Sequence, residues 1–182
     1  MFAVLLLTTL LAAADPQADQ APTPQPEDLA QAGNYKAALE GFRRLVAADP
    51  GDLEARVWIG RLHERMGRPD LAEPVYRAVV LEDPGYVDAA IRLATLLTQR
   101  RHDVEAVRVL ERAKGAEPRN PGLLAALGSA YLGVSNVKLA LAYLELAAAL
   151  SPTPENVNAL KRARRAHRSS PSHSADGVSA GS

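Results

Sequence analysis

The side chains that could support catalysis or bind a metal are few in this chain, and their spacing is wrong. His63 and Glu64 begin a zinc-binding H-E-x-x-H motif, but Gly67 occupies the position of the second histidine ligand. Ser135 and Lys138 have the S-x-x-K spacing of a serine nucleophile and its lysine, yet this spacing is common by chance. The sequence contains no cysteine, which excludes thiol nucleophiles, disulfides and thiolate metal sites. We therefore expect no enzymatic activity, no cofactor and no metal.

Two arginines are better placed to bind a ligand. Arg61 and Arg65 are four residues apart, so on a helix they lie one turn apart on the same face. Together they could hold an acidic or carboxylate group of a ligand. The alternative is ordinary pairing within the helix, with Glu64 and its neighbours. The sequence leaves both interpretations open.

Length, charge and composition narrow the classes further. The 182 residues suffice for one domain or a short array of repeats. Acidic and basic residues both number 21, so the chain lacks the positive field of a general nucleic-acid binder. Hydrophobic residues make up 47% of the chain but aromatic residues only 4%, and the excess of alanine, leucine and valine favours closely packed helices over a β core.

A 34-residue period organises the middle of the sequence. Four prolines recur at this interval, namely Pro50, Pro84, Pro118 and Pro152. Small and large apolar residues fall into register with them: Ala38, Ala72, Ala106 and Ala140; Phe42, Tyr76, Leu110 and Leu144; and Gly60, Ala94 and Gly128. Within each unit, apolar residues recur at spacings of three and four, which predicts two amphipathic helices per repeat. The proline ends the second helix because it has no backbone N–H to donate.

The joints between these helices can also be predicted. Gly33-Asn34, Gly67-Arg68-Pro69 and Ser135-Asn136 supply the permissive backbone that a tight turn requires. The small residues of the Gly60 register are expected to face those of the Ala72 register, which lets the two helix axes approach closely. Pro74 lies inside the second helix of its unit, where it should cost about 3 kcal/mol unless a kink accommodates it.

These registers resemble tetratricopeptide (TPR) repeats over roughly residues 27–154, and the fourth unit matches best. The resemblance implies an all-α fold, a TPR-like helical solenoid in which helix-turn-helix repeats form a right-handed superhelix. Its inner groove, lined mainly by the first helix of each pair, would bind a protein or peptide partner. The predicted units are a partial repeat at 27–52, full repeats at 53–86, 87–120 and 121–154, and a C-terminal capping helix at 155–168.

The resemblance assigns thirteen groove positions in this sequence. They are Glu54, Val57, Arg61, Glu64, Arg65, Asp88, Ile91, Thr95, Thr98, Gln99, Ala125, Ser129 and Leu132. The groove would run from charged to apolar. Some family members hold a peptide's terminal carboxylate with lysine and asparagine pairs, and those residue types do not occur at the matching positions. That clamp is therefore not expected.

The fourth unit is a second candidate surface. Between residues 121 and 150 only Lys138 and Glu145 are charged, and so apolar a helix pair usually buries more than one stripe. Either the capping helix covers this surface or another chain does, with a homo-oligomer as the leading variant. The basic residues of the capping helix predict a solvated outer face; the alternative is a patch for anionic lipid or nucleic acid.

The two ends of the sequence are predicted to lie outside the array. Residues 1–14 are apolar and end in three alanines, as in a secretory signal cleaved after Ala14, although no basic residue precedes the apolar stretch. The alternatives are an uncleaved membrane anchor and an apolar helix packed on the array. Residues 15–26 predict a proline-rich linker and residues 169–182 a disordered tail.

Taken together, the sequence predicts a non-enzymatic adaptor, periplasmic or secreted, that presents its groove to a protein or peptide partner. No nucleic-acid binding is expected, and no membrane span if the signal is cleaved. The alternative function is a structural or assembly subunit of an envelope complex, or a homo-oligomer, that docks through the apolar fourth repeat.

Overall fold

A computed structural model describes residues 24–169, which form nine α-helices. They are α1 (Pro26–Gln31), α2 (Tyr35–Ala48), α3 (Leu53–Arg65), α4 (Pro69–Glu82), α5 (Val87–Gln99), α6 (Asp103–Ala113), α7 (Pro121–Gly133), α8 (Val137–Leu150) and α9 (Pro154–Ser169). The predicted signal or anchor, most of the predicted linker and nearly all of the predicted tail lie outside the described residues.

The helices stack in chain order. Each helix packs on the next, and α5 also contacts α7, which in turn contacts α9. The first helices of successive pairs therefore share one side of the array, and the predicted all-α solenoid with a C-terminal capping helix is confirmed. Within residues 24–169, no helix combines the length and the apolar character needed to cross a bilayer.

Short polar side chains begin several of these helices. The side chains of Asn34, Asp52, Asn120 and Asn136 each accept a hydrogen bond from the backbone N–H three residues further on. This bond satisfies one of the N–H groups that the first helical turn leaves without a partner. The start of each capped helix is thus fixed by a local feature of the sequence.

The turn within each pair contains one residue in the left-handed region, repeated every 34 residues. The φ angles are 78° at Gly33, 69° at Gly67, 65° at Arg101 and 61° at Ser135. The third turn was not predicted, because an arginine gives no turn signal. At Arg101, tertiary packing imposes the left-handed conformation, which glycine adopts without steric cost at the first two turns.

The close approach of paired helices differs from the prediction in one detail. A Cβ atom added to Gly60 would lie 2.4 Å from the Tyr76 ring, and one added to Gly128 would lie 2.4 Å from Leu144 Cγ. The glycines thus make room mainly for the large apolar residue of the second helix, rather than for the alanine register. The reason is that the large side chain projects across the seam and fills it, and only Gly128 also approaches the backbone of Ala140.

Pro74 is accommodated within a continuous helix. Helix α4 runs through it from Pro69 to Glu82. Pro74 and Asp70 are both exposed, so water can satisfy the Asp70 carbonyl that loses its intrahelical donor.

The capping helix covers part of the fourth unit. Ala159 and Ala163 of α9 form a buried cluster with Leu144 of α8. The opposite side of α8 stays open, where Leu139 and Leu146 are each 41% exposed. The capping interpretation is thus correct for one stripe of α8, and a second stripe remains in solvent.

Candidate partner-binding groove

The inner side of the array carries two hollows. The first has a volume of about 170 Å³ and is formed by α1, α2, α3 and α5. Its walls are Ala30, Gln31, Tyr35, Trp58, Arg61, Leu62, Glu64, Arg65 and Arg92. A drug-sized ligand occupies a pocket of about 300–1,000 Å³, so this charged hollow has room for a single side chain rather than for a metabolite.

Ion pairs between repeats order the wall of the first hollow. Arg61 Nη2 donates to Asp88 Oδ2 over 2.8 Å, which joins α3 to α5. Arg92 donates to the same Asp88 oxygen over 3.1 Å and to Glu64 Oε2 over 3.0 Å. The interpretation in which Arg61 pairs within its own helix is therefore wrong, since its partner is in the next repeat, while ligand binding by Arg61 and Arg65 stays a prediction. The physical reason is that α5 packs beside α3 and brings Asp88 within reach.

Aromatic rings fix the position of this ionic network. The Trp58 ring stacks on buried Phe42, with centroids 5.3 Å apart and planes 8° apart. The Arg61 guanidinium carbon lies 4.8 Å from the centre of a Trp58 ring, within cation–π range. Phe42, Trp58 and Arg61 thus form a layered wall that is ordered without a ligand.

A buried tyrosine stabilises this ionic network through a hydrogen bond. The Tyr76 hydroxyl donates to Glu64 Oε2 over 3.0 Å. Burial, reinforced by the Glu64 carboxylate, raises the pKa of Tyr76 far above its ordinary value. The hydroxyl therefore stays protonated and keeps Glu64 in place as an acceptor.

Arg65 differs from the other two arginines of the first hollow. It is exposed and forms no ion pair with any carboxylate of residues 24–169. Arg61 and Arg92 share two carboxylates, so those four charges balance. The charge of Arg65 is not balanced by either of these carboxylates, so the hollow carries a net positive charge.

The second hollow is larger and mainly apolar. It has a volume of about 710 Å³ and lies between α5, α7 and α9. Its walls are Ile91, Ala94, Thr95, Thr98, Gln99, Gly122, Ala125, Ala126, Ser129, Glu155, Asn156, Ala159 and Arg162. Its threonine hydroxyls bond to their own helix, Thr95 to the Ile91 carbonyl and Thr98 to the Ala94 carbonyl, both over 2.8 Å. Their donors are therefore already used.

Nine of the thirteen predicted groove residues line one of the hollows. Arg61, Glu64 and Arg65 line the first; Ile91, Thr95, Thr98, Gln99, Ala125 and Ser129 line the second. The expected change from charged to apolar is thus visible in the lining. The remaining four predicted residues line neither hollow.

Each of those four residues has a different role. Val57 is 2% exposed and belongs to the core between repeats, because valine is too short to reach the groove as Ile91 does at the same register. Leu132 packs into the cluster beneath α9. Asp88 is held by Arg61 and Arg92 beside the first hollow. Glu54 is exposed in the first turn of α3, where an acidic residue is favourable.

Several lining residues were not predicted. Trp58, Arg92 and Ala126 occupy one register, 34 residues apart, and all three face the groove. The repeat spacing could have revealed this register, which lies one residue after the one that was chosen. The contributions of α1, α2 and α9 carry no such signal, because those helices lie at the ends of the array.

Helical pairs that stack into a continuous array with a shared inner surface define a helical-repeat solenoid. Two family profiles, each described as tetratricopeptide repeat, match residues 27–87 and 65–128. Together they cover residues 27–128, which is more than half of the chain. The chain therefore belongs to the tetratricopeptide repeat family, as its registers predicted.

Individual relatives agree with this assignment. Protein FlbA of Caulobacter vibrioides is 27% identical over 120 residues, which is 66% of this chain but only 20% of FlbA. The chain thus spans about a fifth of that relative. The TPR protein TTC0263 of Thermus thermophilus superposes with a TM-score of 0.64 at 26% identity, covering 78% of this chain and 79% of that one. YrrB, described as a TPR protein with an unusual peptide-binding site, superposes with a TM-score of 0.62 at 19% identity, covering 75% and 71%.

Proposed function

We propose that this protein is a non-enzymatic interaction scaffold that binds a segment of a partner protein along its inner groove. TPR proteins are protein-interaction scaffolds, and the solved relatives include one described as having a peptide-binding site. The observation that carries the proposal is the pair of hollows side by side on α5. Arg92 lines the first hollow and Ile91, the residue before it, lines the second.

The shape and order of the groove support this proposal. An elongated surface with a charged end and an apolar end suits a peptide segment, which can place different side chains in each. The walls are ordered by the ion pairs between α3 and α5 and by the Trp58 stack, so a ligand need not order them at an entropic cost.

A variant series tests the groove. The full chain is used as bait, and each partner is quantified by mass spectrometry. Thr95→Arg fills the apolar hollow with a long charged side chain and should abolish capture. Val104→Asp is the control, because Val104 is 65% exposed on α6 and lines neither hollow. Equal recovery by both variants and the native chain would contradict a role for the groove.

One specific observation favours a second candidate function, docking through the outer face of α8. Leu139 and Leu146 lie two turns apart, and the exposed Ala142 lies between them. A structural subunit of a larger complex, or a homo-oligomer, would bury this stripe. Leu146→Asp in the same series should then abolish capture, or dissociate the oligomer in light scattering, while Thr95→Arg leaves it intact.

We also propose that the protein is exported. Support comes from the sequence of residues 1–14 alone, which has the apolar stretch and the small residues of a cleavable signal. Cell fractionation followed by N-terminal mass spectrometry tests this directly. A periplasmic or secreted product that begins at Asp15 is expected. An intact N-terminus in the membrane fraction would indicate an anchor, and an intact N-terminus in the cytoplasm would refute export.

A further inference from the structure

The strongest unassigned feature is the uncompensated positive charge of the first hollow. Arg61, Arg65 and Arg92 contribute three positive charges to its wall, while Glu64 and the adjacent Asp88 contribute two negative charges. The excess belongs to Arg65, which forms no ion pair with a carboxylate of the described chain. A group that enters this hollow therefore meets a positive field.

We propose that the first hollow selects an aspartate or glutamate side chain of the partner segment, with apolar residues beside it in the second hollow. This inference rests on the proposed function and adds the chemistry of the partner. A carboxylate matches a guanidinium in charge and in its planar pair of acceptor oxygens. The site differs from the terminal-carboxylate clamp of other family members, whose lysine and asparagine pairs do not occur here.

The volume of the hollow favours a side chain over a larger anion. Its volume of about 170 Å³ is well below that of a typical metabolite pocket, about 300–1,000 Å³. The Trp58 ring and the Leu62 side chain provide apolar walls that the methylene groups of a glutamate can contact.

The second hollow sets the neighbours of that acidic residue. Ile91 and four alanines form the apolar part of its walls, and the two threonine hydroxyls beside them already donate to their own helix. The polar part of the lining consists of Gln99, Ser129, Glu155, Asn156 and Arg162. A polar side chain placed against the Ile91 and alanine walls would lose water without gaining a hydrogen bond from either threonine hydroxyl, so an apolar side chain is favoured there. Because Ile91 and Arg92 are consecutive on α5, one short segment can reach both hollows.

Arg65 also has a structural explanation that the test must separate from ligand binding. It lies in the last turn of α3, where a positive charge interacts favourably with the helix dipole. That role requires no ligand and predicts a change in stability only. The substitution Arg65→Gln should leave the fold intact, since the side chain is exposed and forms no ion pair with a described carboxylate.

The test uses random twelve-residue peptides displayed on phage and joined to the coat protein by their C-terminus, so that none has a terminal carboxylate. The full chain is the target. The most enriched peptide is then synthesised with an amidated C-terminus, together with a version that carries glutamine or asparagine in place of the acidic residue. Affinities of both peptides are measured for the native chain, for Arg65→Gln, for Thr95→Arg and for Arg108→Gln. Arg108 is the control because it is exposed on α6 and lines neither hollow.

The expected result is enrichment of one acidic position flanked by apolar residues. Neutralising that residue or Arg65 should each weaken binding by about tenfold or more, as for a charge-assisted hydrogen bond. Combining both changes should weaken binding no further, because each removes the same contact. Arg108→Gln should bind like the native chain, and circular dichroism should show that every variant is folded.

Two contrary outcomes are distinguishable. Peptides that lose binding with Thr95→Arg, but show no acidic enrichment and no response to Arg65→Gln, would overturn the acidic selection and leave the proposed groove function standing. Failure to enrich any peptide, or peptides that bind Thr95→Arg as well as the native chain, would count against both. The enriched peptide is also synthesised with a free C-terminus; if this form binds and the amidated form does not, the site recognises a chain end, and the side-chain proposal is wrong.

Discussion

Replacing Gly60 with alanine should destabilise the protein, although alanine is the better helix former. The new Cβ would lie 2.4 Å from Tyr76 Cε1 and 2.7 Å from Cζ, closer than carbon atoms can approach. The ring cannot retreat, because Tyr76 is 0% exposed and its hydroxyl is bonded to Glu64. Overpacking costs about 1–3 kcal/mol and the gain in helix propensity is about 1 kcal/mol. With the ring held so firmly, we expect a net loss of about 1–2 kcal/mol in the free energy of unfolding.

Guanidinium unfolding followed by circular dichroism measures this loss, and the third repeat suggests a matched control. There, Ala94 and Leu110 occupy the registers of Gly60 and Tyr76. In a Tyr76→Leu background, Gly60→Ala should therefore cost less than about 0.5 kcal/mol, because a leucine can rotate away from the methyl group. Gly60→Ala could instead be as stable as the native chain, or lose the same free energy of unfolding in both backgrounds. Either result would show that α3 and α4 do not make this close contact.

Three further predictions concern the turns and the response to pH. Gly67→Ala should lower the free energy of unfolding by about 1–2 kcal/mol from backbone strain alone, since open space surrounds the site. Arg101→Gly should relieve the same strain and so raise the melting temperature. Burial, together with two nearby arginines, lowers the pKa of His63 below its ordinary value, so stability should fall as the pH drops below 6.5. His63→Leu, which introduces the residue found at the same register in the next repeat (Leu97), should remove this loss of stability at low pH. Burial raises the pKa of Glu111, but hydrogen bonds from Lys114 and two tyrosines lower it by more, so the net shift is downward. Glu111→Gln should therefore destabilise the chain at neutral pH. This loss of stability should become progressively smaller as the pH falls below 4.5.

The repeat architecture was predictable because it depends on local and periodic features. Proline and glycine affect backbone conformation, and glycine and alanine are small enough for helices to pack closely. The spacing of these residues therefore predicts where helices end and where two helices approach each other. Arg101 shows the limit of this reasoning, since its left-handed conformation comes from the repeat geometry and not from its own preference. Only the 34-residue spacing of the other three turns could have indicated it.

The groove was less predictable because its details depend on side-chain reach between repeats. Val57 and Ile91 share a register, yet one is buried and the other lines a hollow. The pairing of Arg61 with Asp88 joins residues far apart in sequence, whereas the sequence offered pairing with Glu64 as one of two interpretations. Such choices follow from how closely two helices pack, which the hydrophobic pattern does not specify.

Hydrogen–deuterium exchange of the full chain, with and without a bound partner, tests most directly whether the inner groove is the binding surface. We predict that binding slows exchange at the exposed ends and turns of α3, α5 and α7, where the two hollows lie, and leaves the outer helices α4, α6 and α8 unchanged. Slower exchange confined to α8, with α3 and α5 unaffected, would contradict the groove and place the partner on the opposite side of the array.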